Sequence, residues 1–165
     1  MHIHYISEKP SILNQFLAQI REVTIQKDQM RFRKNMERIG EIMAYELSKT
    51  LTYKAIEVET PLGIKQTSTL AENVVLCSIL RAGLALHTGF TNFFDAAENG
   101  FVSAYRHHYD NDDKFDILVE YQAAPSLEGK NLILVDPMLA TGQSIVAVLQ
   151  KLHLEHQPKE IHVAV

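Results

Sequence analysis

LILVDPMLATGQS, residues 132–144, is the stretch from which the rest of the chain can be read. Four apolar residues run into Asp136, a loop of small residues follows (Ala140-Thr141-Gly142-Gln143-Ser144), and a helical apolar period begins at Ile145. A strand that ends on a carboxylate and passes through a short loop into a helix sets unpaired backbone N–H groups at the helix start. Those amides and the positive end of the helix dipole form an anion site. Gly142 permits positive φ or a close backbone approach, and the Thr141 and Ser144 hydroxyls can add hydrogen bonds to phosphate oxygens. Asp136 cannot hold phosphate, because like charges repel, but it can accept charge-assisted hydrogen bonds from sugar hydroxyls. A phosphate cradle beside a hydroxyl-binding acid describes a ribose 5-phosphate site. It is not a Walker A loop, which needs Gly-Lys-Ser/Thr. The same spacing also suits an ordinary capped strand–turn–helix, with Asp136 as a turn residue.

Working outward, the chain alternates strand and helix patterns. Ile12, Phe16, Leu17 and Ile20 predict a helix over 11–21. Asp28 is a candidate N-cap for a longer one over 28–50, with Phe32, Met36, Ile39, Met43 and Leu47 as its buried stripe. Arg33, Lys34, Glu37, Arg38 and Glu41 read as its solvated face. Residues 53–69 alternate around Pro61-Leu62-Gly63 and predict a hairpin. The continuous apolar run NVVLCSIL, 73–80, suits a strand covered on both faces. A helix over 84–95, a strand over 101–105, an alternating segment over 115–122, a buried strand over 131–136, a helix over 142–153 and a last strand over 160–165 complete the reading. The order implies an α/β domain with a mostly parallel sheet and helices on both faces. Ligands in such sheets sit beyond the carboxyl ends of the strands, which points to the loops after Leu80, Tyr105 and Asp136.

Composition narrows the function classes. At 165 residues the chain is one domain that can bury a core without disulfides, and its single cysteine, Cys77, excludes an internal disulfide or a multi-cysteine zinc site. A formal charge of -4 argues against a nucleic-acid partner, and no apolar run approaches the roughly 20 residues of a membrane span. MHIHYISEKP has no signal-peptide apolar region, so a cytoplasmic location is expected.

VDPMLATGQS resembles the phosphoribosyl-pyrophosphate (PRPP) motif of the type I phosphoribosyltransferases, in the Asp-Pro-Met-Leu-Ala-Thr-Gly form of the uracil phosphoribosyltransferases. SILRAGL, 78–84, resembles that family's pyrophosphate-facing loop, and Ala104-Tyr105-Arg106 its entry into a β-arm. Arg31-Phe32-Arg33 and Val119-Glu120-Tyr121 are similar to further family segments. The resemblance implies a type I phosphoribosyltransferase fold with N-terminal helices and a β-arm over 103–122. It implies transfer from PRPP to uracil, giving UMP and pyrophosphate. Asp136 would serve the ribose hydroxyls and Ala140 to Ser144 the 5-phosphate, with Pro137, Met138 and Leu139 in the same binding loop. Arg81 and Arg106 would serve the pyrophosphate, Asp136 and Arg81 being the candidates closest to the chemistry. Mg²⁺ would be carried by the substrate, with no direct protein ligation, and a homodimer or higher assembly and control by GTP belong to the same expectation. The alternatives are a PRPP- or nucleotide-sensing regulator on the same fold, or a truncated, non-catalytic PRPP-binding paralogue.

The chain departs from the resembled pattern at four places, one of them the arm sequence HHYDNDDKFDI, 107–117. Cys77-Ser78 stands where Val-Pro or similar is usual, and Gln143 replaces a second glycine. The glycine-rich segment that forms the base pocket near the family's carboxyl terminus has no counterpart, so no uracil-binding residue is assigned. With the apolar ending IHVAV, this leads to the expectation of a domain short of its last stretch. Cys77 reads as core, Tyr105 as packing, and the methionines with Phe90, Phe93 and Phe94 as core. His2, His4, His107 and His108 read as structural or solvated rather than metal ligands, and Asp110, Asp112 and Asp113 as an exposed tip.

Overall fold

Ser11 and Asp28 start the two amino-terminal helices. In this computed structural model, which describes residues 1–108, 115–155 and 157–165 and omits the side chains of 106–108, 115–117 and 153–155, α1 spans Ile12–Arg21 and α2 spans Gln29–Ser48. Ser11 Oγ accepts from the Leu13 amide (3.3 Å) while Asn14 Oδ1 accepts from the Ser11 amide (2.9 Å), a reciprocal capping box. Asp28 Oδ1 accepts from the Arg31 amide at 3.0 Å. A two-stranded hairpin follows, β1 (Tyr53–Thr60) and β2 (Gly63–Leu70), paired only with itself.

The remaining strands are β3 (Val74–Leu80), β4 (Glu98–His108), β5 (Phe115–Ala123), β6 (Asn131–Val135) and β7 (Glu160–Ala164), with α3 (Leu84–Thr91) after β3 and α4 (Gln143–Glu155) after β6. They form one sheet in the order β5-β4-β3-β6-β7. β3 runs parallel to β4 and β6, and β6 parallel to β7; β5 alone is antiparallel, returning along β4 with a register shift between Ser103 and Ala104. The mostly parallel α/β sheet expected from the sequence is the one observed. The tip residues 109–114, with Asp110, Asp112 and Asp113, lie outside the described residues, as do the side chains of His107 and His108.

Period-2 geometry sorts the two central strands onto two cores. Val74, Leu76, Ile133 and Val135 pack under Leu13, Met36, Ile39, Leu86 and Phe90 from α1, α2 and α3. Val75, Cys77, Ile79, Leu132 and Leu134 pack under Ile145, Val148 and Leu152 from α4. Each fully buried Val, Leu or Ile contributes roughly 1.5–3 kcal/mol, and the two buried polar residues of these strands, Ser78 and Asn131, are hydrogen-bonded. Cys77 is a core residue, its thiol pushed up to about 12 by burial.

α3 is fixed against α2 by backbone contact. A Cβ on Gly40 would lie 2.4 Å from Leu86 O, and one on Gly89 2.1 Å from Glu37 O, so only hydrogen fits at either position. Several sequence expectations need correction here. α3 ends at Thr91 rather than at 95, so Phe93 leaves the buried stripe and sits edge-on to Tyr45, while Phe90 and Phe94 stay buried. Met36 is core, but Met1, Met30 and Met138 are exposed, at the chain start, in the first turn of α2 off its stripe, and in a loop. Tyr105 is exposed rather than packed, and its hydroxyl donates to Glu120 across the β4–β5 pair. Glu37 and Glu41 are half-buried and accept from Asn92 of the α3 end, so part of the expected solvated face holds the helix pair together.

Candidate active site

β3 and β6 are parallel neighbours with Ser78 opposite Val135; β6 ends there and β3 runs two residues further, to Leu80, so both chains leave the sheet at the same end. The two loops that follow are brought together there, as the sequence pattern requires. Past β6, the Asp136 amide donates to Ala164 O (3.1 Å), which anchors the strand tip on β7. The chain then crosses an exposed segment, Met138 to Thr141, and enters α4. Gly142 has φ +76, a value that side-chain-bearing residues adopt only under strain. Its carbonyl accepts the Val146 amide at 2.9 Å, so the amides of Gln143, Ser144 and Ile145 precede the first helical bond and face outward.

A cavity of about 190 Å³ opens on this turn, lined by Asp136 and by the continuous stretch 138–145. Pro137 is not part of the lining, and Ile145, which the sequence reading did not include, is. The Thr141 hydroxyl donates to Gln143 Oε1 (3.3 Å), so the glutamine closes over the loop without removing its own amide. Burial pushes the Asp136 carboxyl above the usual carboxylate range, and the Met138 amide, donating to it, offsets part of that effect. A half-buried carboxylate with a single backbone donor has acceptor capacity left for ligand hydroxyls.

On the β3 side, Arg81 is exposed, follows a cis Leu80–Arg81 peptide, and makes no ion pair among the described residues. It stands at the same sheet end as the cavity but is not in its lining. The loops touch through Gly83, where a Cβ would sit 2.7 Å from Ile79 O and 3.1 Å from Val135 O. The backbone of Arg106 lies in β4 opposite Ile117; its side chain is outside the described residues.

Sequence reasoning missed a polar chain, buried at Ser78 and His87, that ties the strand before Arg81 to the helix after it. Ser78 Oγ and His87 Nδ1 are 2.6 Å apart, and His87 Nε2 and Asn99 Oδ1 are 2.7 Å apart. The available signal was a histidine inside an otherwise apolar helix segment, LALHTGF. A larger, shallower depression of about 400 Å³ lies between α2 and α3, beside Met30, Arg33, Leu84 and Thr88.

The family model described as uracil phosphoribosyltransferase matches residues 6–165. The chain belongs to that family. A uracil phosphoribosyltransferase of Porphyromonas gingivalis is 49% identical over 164 residues, covering 99% of this chain and 76% of that relative. Among solved structures, the AQ2163 protein of Aquifex aeolicus superposes with a TM-score of 0.78 at 28% identity, covering 94% of this chain and 72% of that one. A hypoxanthine phosphoribosyltransferase of Staphylococcus aureus superposes at 0.56 with 12% identity over 80% of this chain and 62% of its own, a likeness of fold alone.

Proposed function

We propose that this chain transfers the 5-phosphoribosyl group of PRPP to uracil, forming UMP and pyrophosphate. The observation that carries the reading is the cavity of about 190 Å³ in which the Asp136 carboxylate and the first-turn amides of α4 meet. Those amides, with the Thr141 and Ser144 hydroxyls, would take the 5-phosphate, and the Met138–Gly142 backbone would shape the loop around it. Asp136 would accept from the ribose hydroxyls, fixing the sugar so that its anomeric carbon faces the β3 loop. Arg81, with five donors in a planar fork, would take the pyrophosphate, joined by Arg106 from the β4 arm.

In the reaction the bond from the anomeric carbon to pyrophosphate breaks, and its electron pair leaves with the pyrophosphate. The bond from the same carbon to uracil N1 forms, and the N1 proton is lost. The sugar passes through an oxocarbenium-like state, so the protein's contribution is positioning and stabilisation of charge rather than covalent attack. Asp136 would lie on the ribose side of that developing positive charge.

No three His, Cys, Asp or Glu side chains converge among the described residues, while one carboxylate, Asp136, stands beside the phosphate cradle. That donor set fits Mg²⁺ carried mainly on substrate phosphate and ribose oxygens. Bound there, the ion would offset charge on the departing pyrophosphate. A homodimer or higher assembly and control by GTP rest on the family resemblance, and a cytoplasmic location on the composition and amino-terminal sequence; no described helix is long and apolar enough to cross a membrane.

Incubation of the protein with radiolabelled uracil, PRPP and Mg²⁺ tests the reading by the appearance of labelled UMP. Binding of PRPP without UMP would overturn it in favour of a sensing or non-catalytic paralogue.

A further inference from the structure

We propose that Ser78, His87 and Asn99 form a hydrogen-bonded relay, buried at Ser78 and His87, that positions the Leu80–Gly83 loop, and through it Arg81, for the pyrophosphate of PRPP. The proposal rests on the functional reading above and names three positioning residues for it.

The relay has a defined direction. Asn99 Nδ2 donates to Ala97 O (3.2 Å), so its Oδ1 is the atom turned to His87. His87 Nε2 therefore carries the proton and donates to Asn99, and in the neutral ring Nδ1 is left as an acceptor. The Ser78 hydroxyl donates to it. Ser78 is fully buried and His87 is 7% exposed, so each leaves a costly unpaired group if its partner is lost. The imidazole also lies against the Phe101 ring, with centroids 4.9 Å apart, which holds its plane.

Its place gives the relay its task. Ser78 precedes Arg81 by three residues and His87 follows it by six, so their bond closes the turn that carries Arg81. Within that turn the Gly83 amide donates to Ile79 O (3.0 Å), the Leu84 amide to Arg81 O (3.3 Å) and the His87 amide to Gly83 O (2.8 Å). Gly83 sits directly on Ser78, where a Cβ added to the glycine would be 3.2 Å from the serine Cβ. Arg81 itself is exposed and unsupported by an ion pair among the described residues, so its direction depends on this backbone. Asn99 sits on β4 opposite Leu76, which extends the tie from α3 through the ring to the neighbouring strand.

A double-mutant cycle tests the proposal. PRPP binding with Mg²⁺ is titrated calorimetrically in the unaltered protein, Ser78→Ala, His87→Gln, His87→Leu and Arg81→Ala, and in Ser78→Ala and His87→Leu combined with Arg81→Ala. Ser78→Ala removes only a hydroxyl and is expected to weaken PRPP binding roughly three- to tenfold. His87→Gln, which keeps a donor and an acceptor, should stay closer to the unaltered protein than His87→Leu. In the Arg81→Ala background the relay substitutions should add little, because they act through that arginine. Equal losses with and without Arg81, or no loss in Ser78→Ala, would overturn the proposal.

Amide exchange at Ala82, Gly83 and Leu84 gives a readout independent of PRPP. Faster exchange in Ser78→Ala than in the unaltered protein is expected, and unchanged exchange overturns the positioning role even if His87→Leu fails to fold. If the unaltered protein binds no PRPP, the functional reading fails, and the exchange result still decides the relay.

Discussion

The two ends of β3 and β6 are built from the same residue types to opposite effect. At the amino end Glu72 is nearly saturated: it accepts from the Thr52 amide (3.2 Å) and Asn131 Nδ2 (2.7 Å), and pairs with Lys159. Those donors hold its carboxyl down at about 2. Lys130 pairs with Glu98 beside it, and the Asn131 and Lys159 amides bond across to Asn73 O and Lys130 O. At the carboxyl end Asp136 has one backbone donor, its carboxyl is pushed up by burial, and Arg81, at the same sheet end, is without an ion pair among the described residues. One carboxylate has been supplied with all its partners by the fold. The other keeps acceptors free in a cavity, which is what a ligand-binding group requires and a structural group avoids.

If the two ends divide stability from binding, substitutions should separate along the same line. The largest effect is expected for Asp136→Asn, with UMP formation falling about a hundredfold or more as charge stabilisation beside the ribose is lost. Its thermal midpoint should stay level or rise, because burial penalises the charged form it removes. A fall in both would place Asp136 in the structural class with Glu72. Arg81→Ala comes next. Loss of charge-assisted bonds to pyrophosphate should raise the PRPP KM roughly ten- to hundredfold without shifting the melt.

The sequence made much of this arrangement legible because its signals are local. Asp136, Gly142 and the apolar run before them state a strand tip and an anion-binding turn within a dozen residues, and the structure puts them around one cavity. Ser11 and Asp28 mark their helices because capping involves atoms only two or three residues apart. Glu72 is not legible, for the opposite reason, and of the Ser78–His87–Asn99 relay only the histidine in LALHTGF shows locally. Glu72 meets residues 20, 59 and 87 positions away, and no periodicity reports such a pairing. The mistaken end of α3 has a related cause: Phe90, Phe93 and Phe94 continue the apolar period, but the turn at Asn92 follows from packing against Glu37 and Glu41 of α2.

Glu72→Ala should do the reverse of Asp136→Asn. It leaves the fully buried Asn131 side chain and the Thr52 amide without their acceptor, a loss of about 1–3 kcal/mol, most of it from those groups rather than from the half-exposed Lys159. At roughly 2–4 °C per kcal/mol for a chain of this size, the melt should drop by several degrees. Activity per folded molecule should be retained. A PRPP KM that moved with the melt would show that the two ends are coupled through β3 and β6.

The smallest effect is a pH slope, and its sign follows from the same contrast. Glu72 has a carboxyl held at about 2 when folded against an ordinary 4.5. Its contribution is present in full above 4.5 and is lost as the pH falls toward 2. Asp136, shifted upward, works the other way: protonation relieves a buried charge, so acidification through its range favours the folded chain. Denaturant melts between pH 6 and about 3 should therefore lose less stability per pH step in Glu72→Gln than in the unaltered protein. Asp136→Asn should lose more, because its compensating protonation is gone. Parallel curves for all three proteins would mean that neither carboxylate differs between folded and unfolded chain, and the contrast between the two strand ends would then rest on geometry alone.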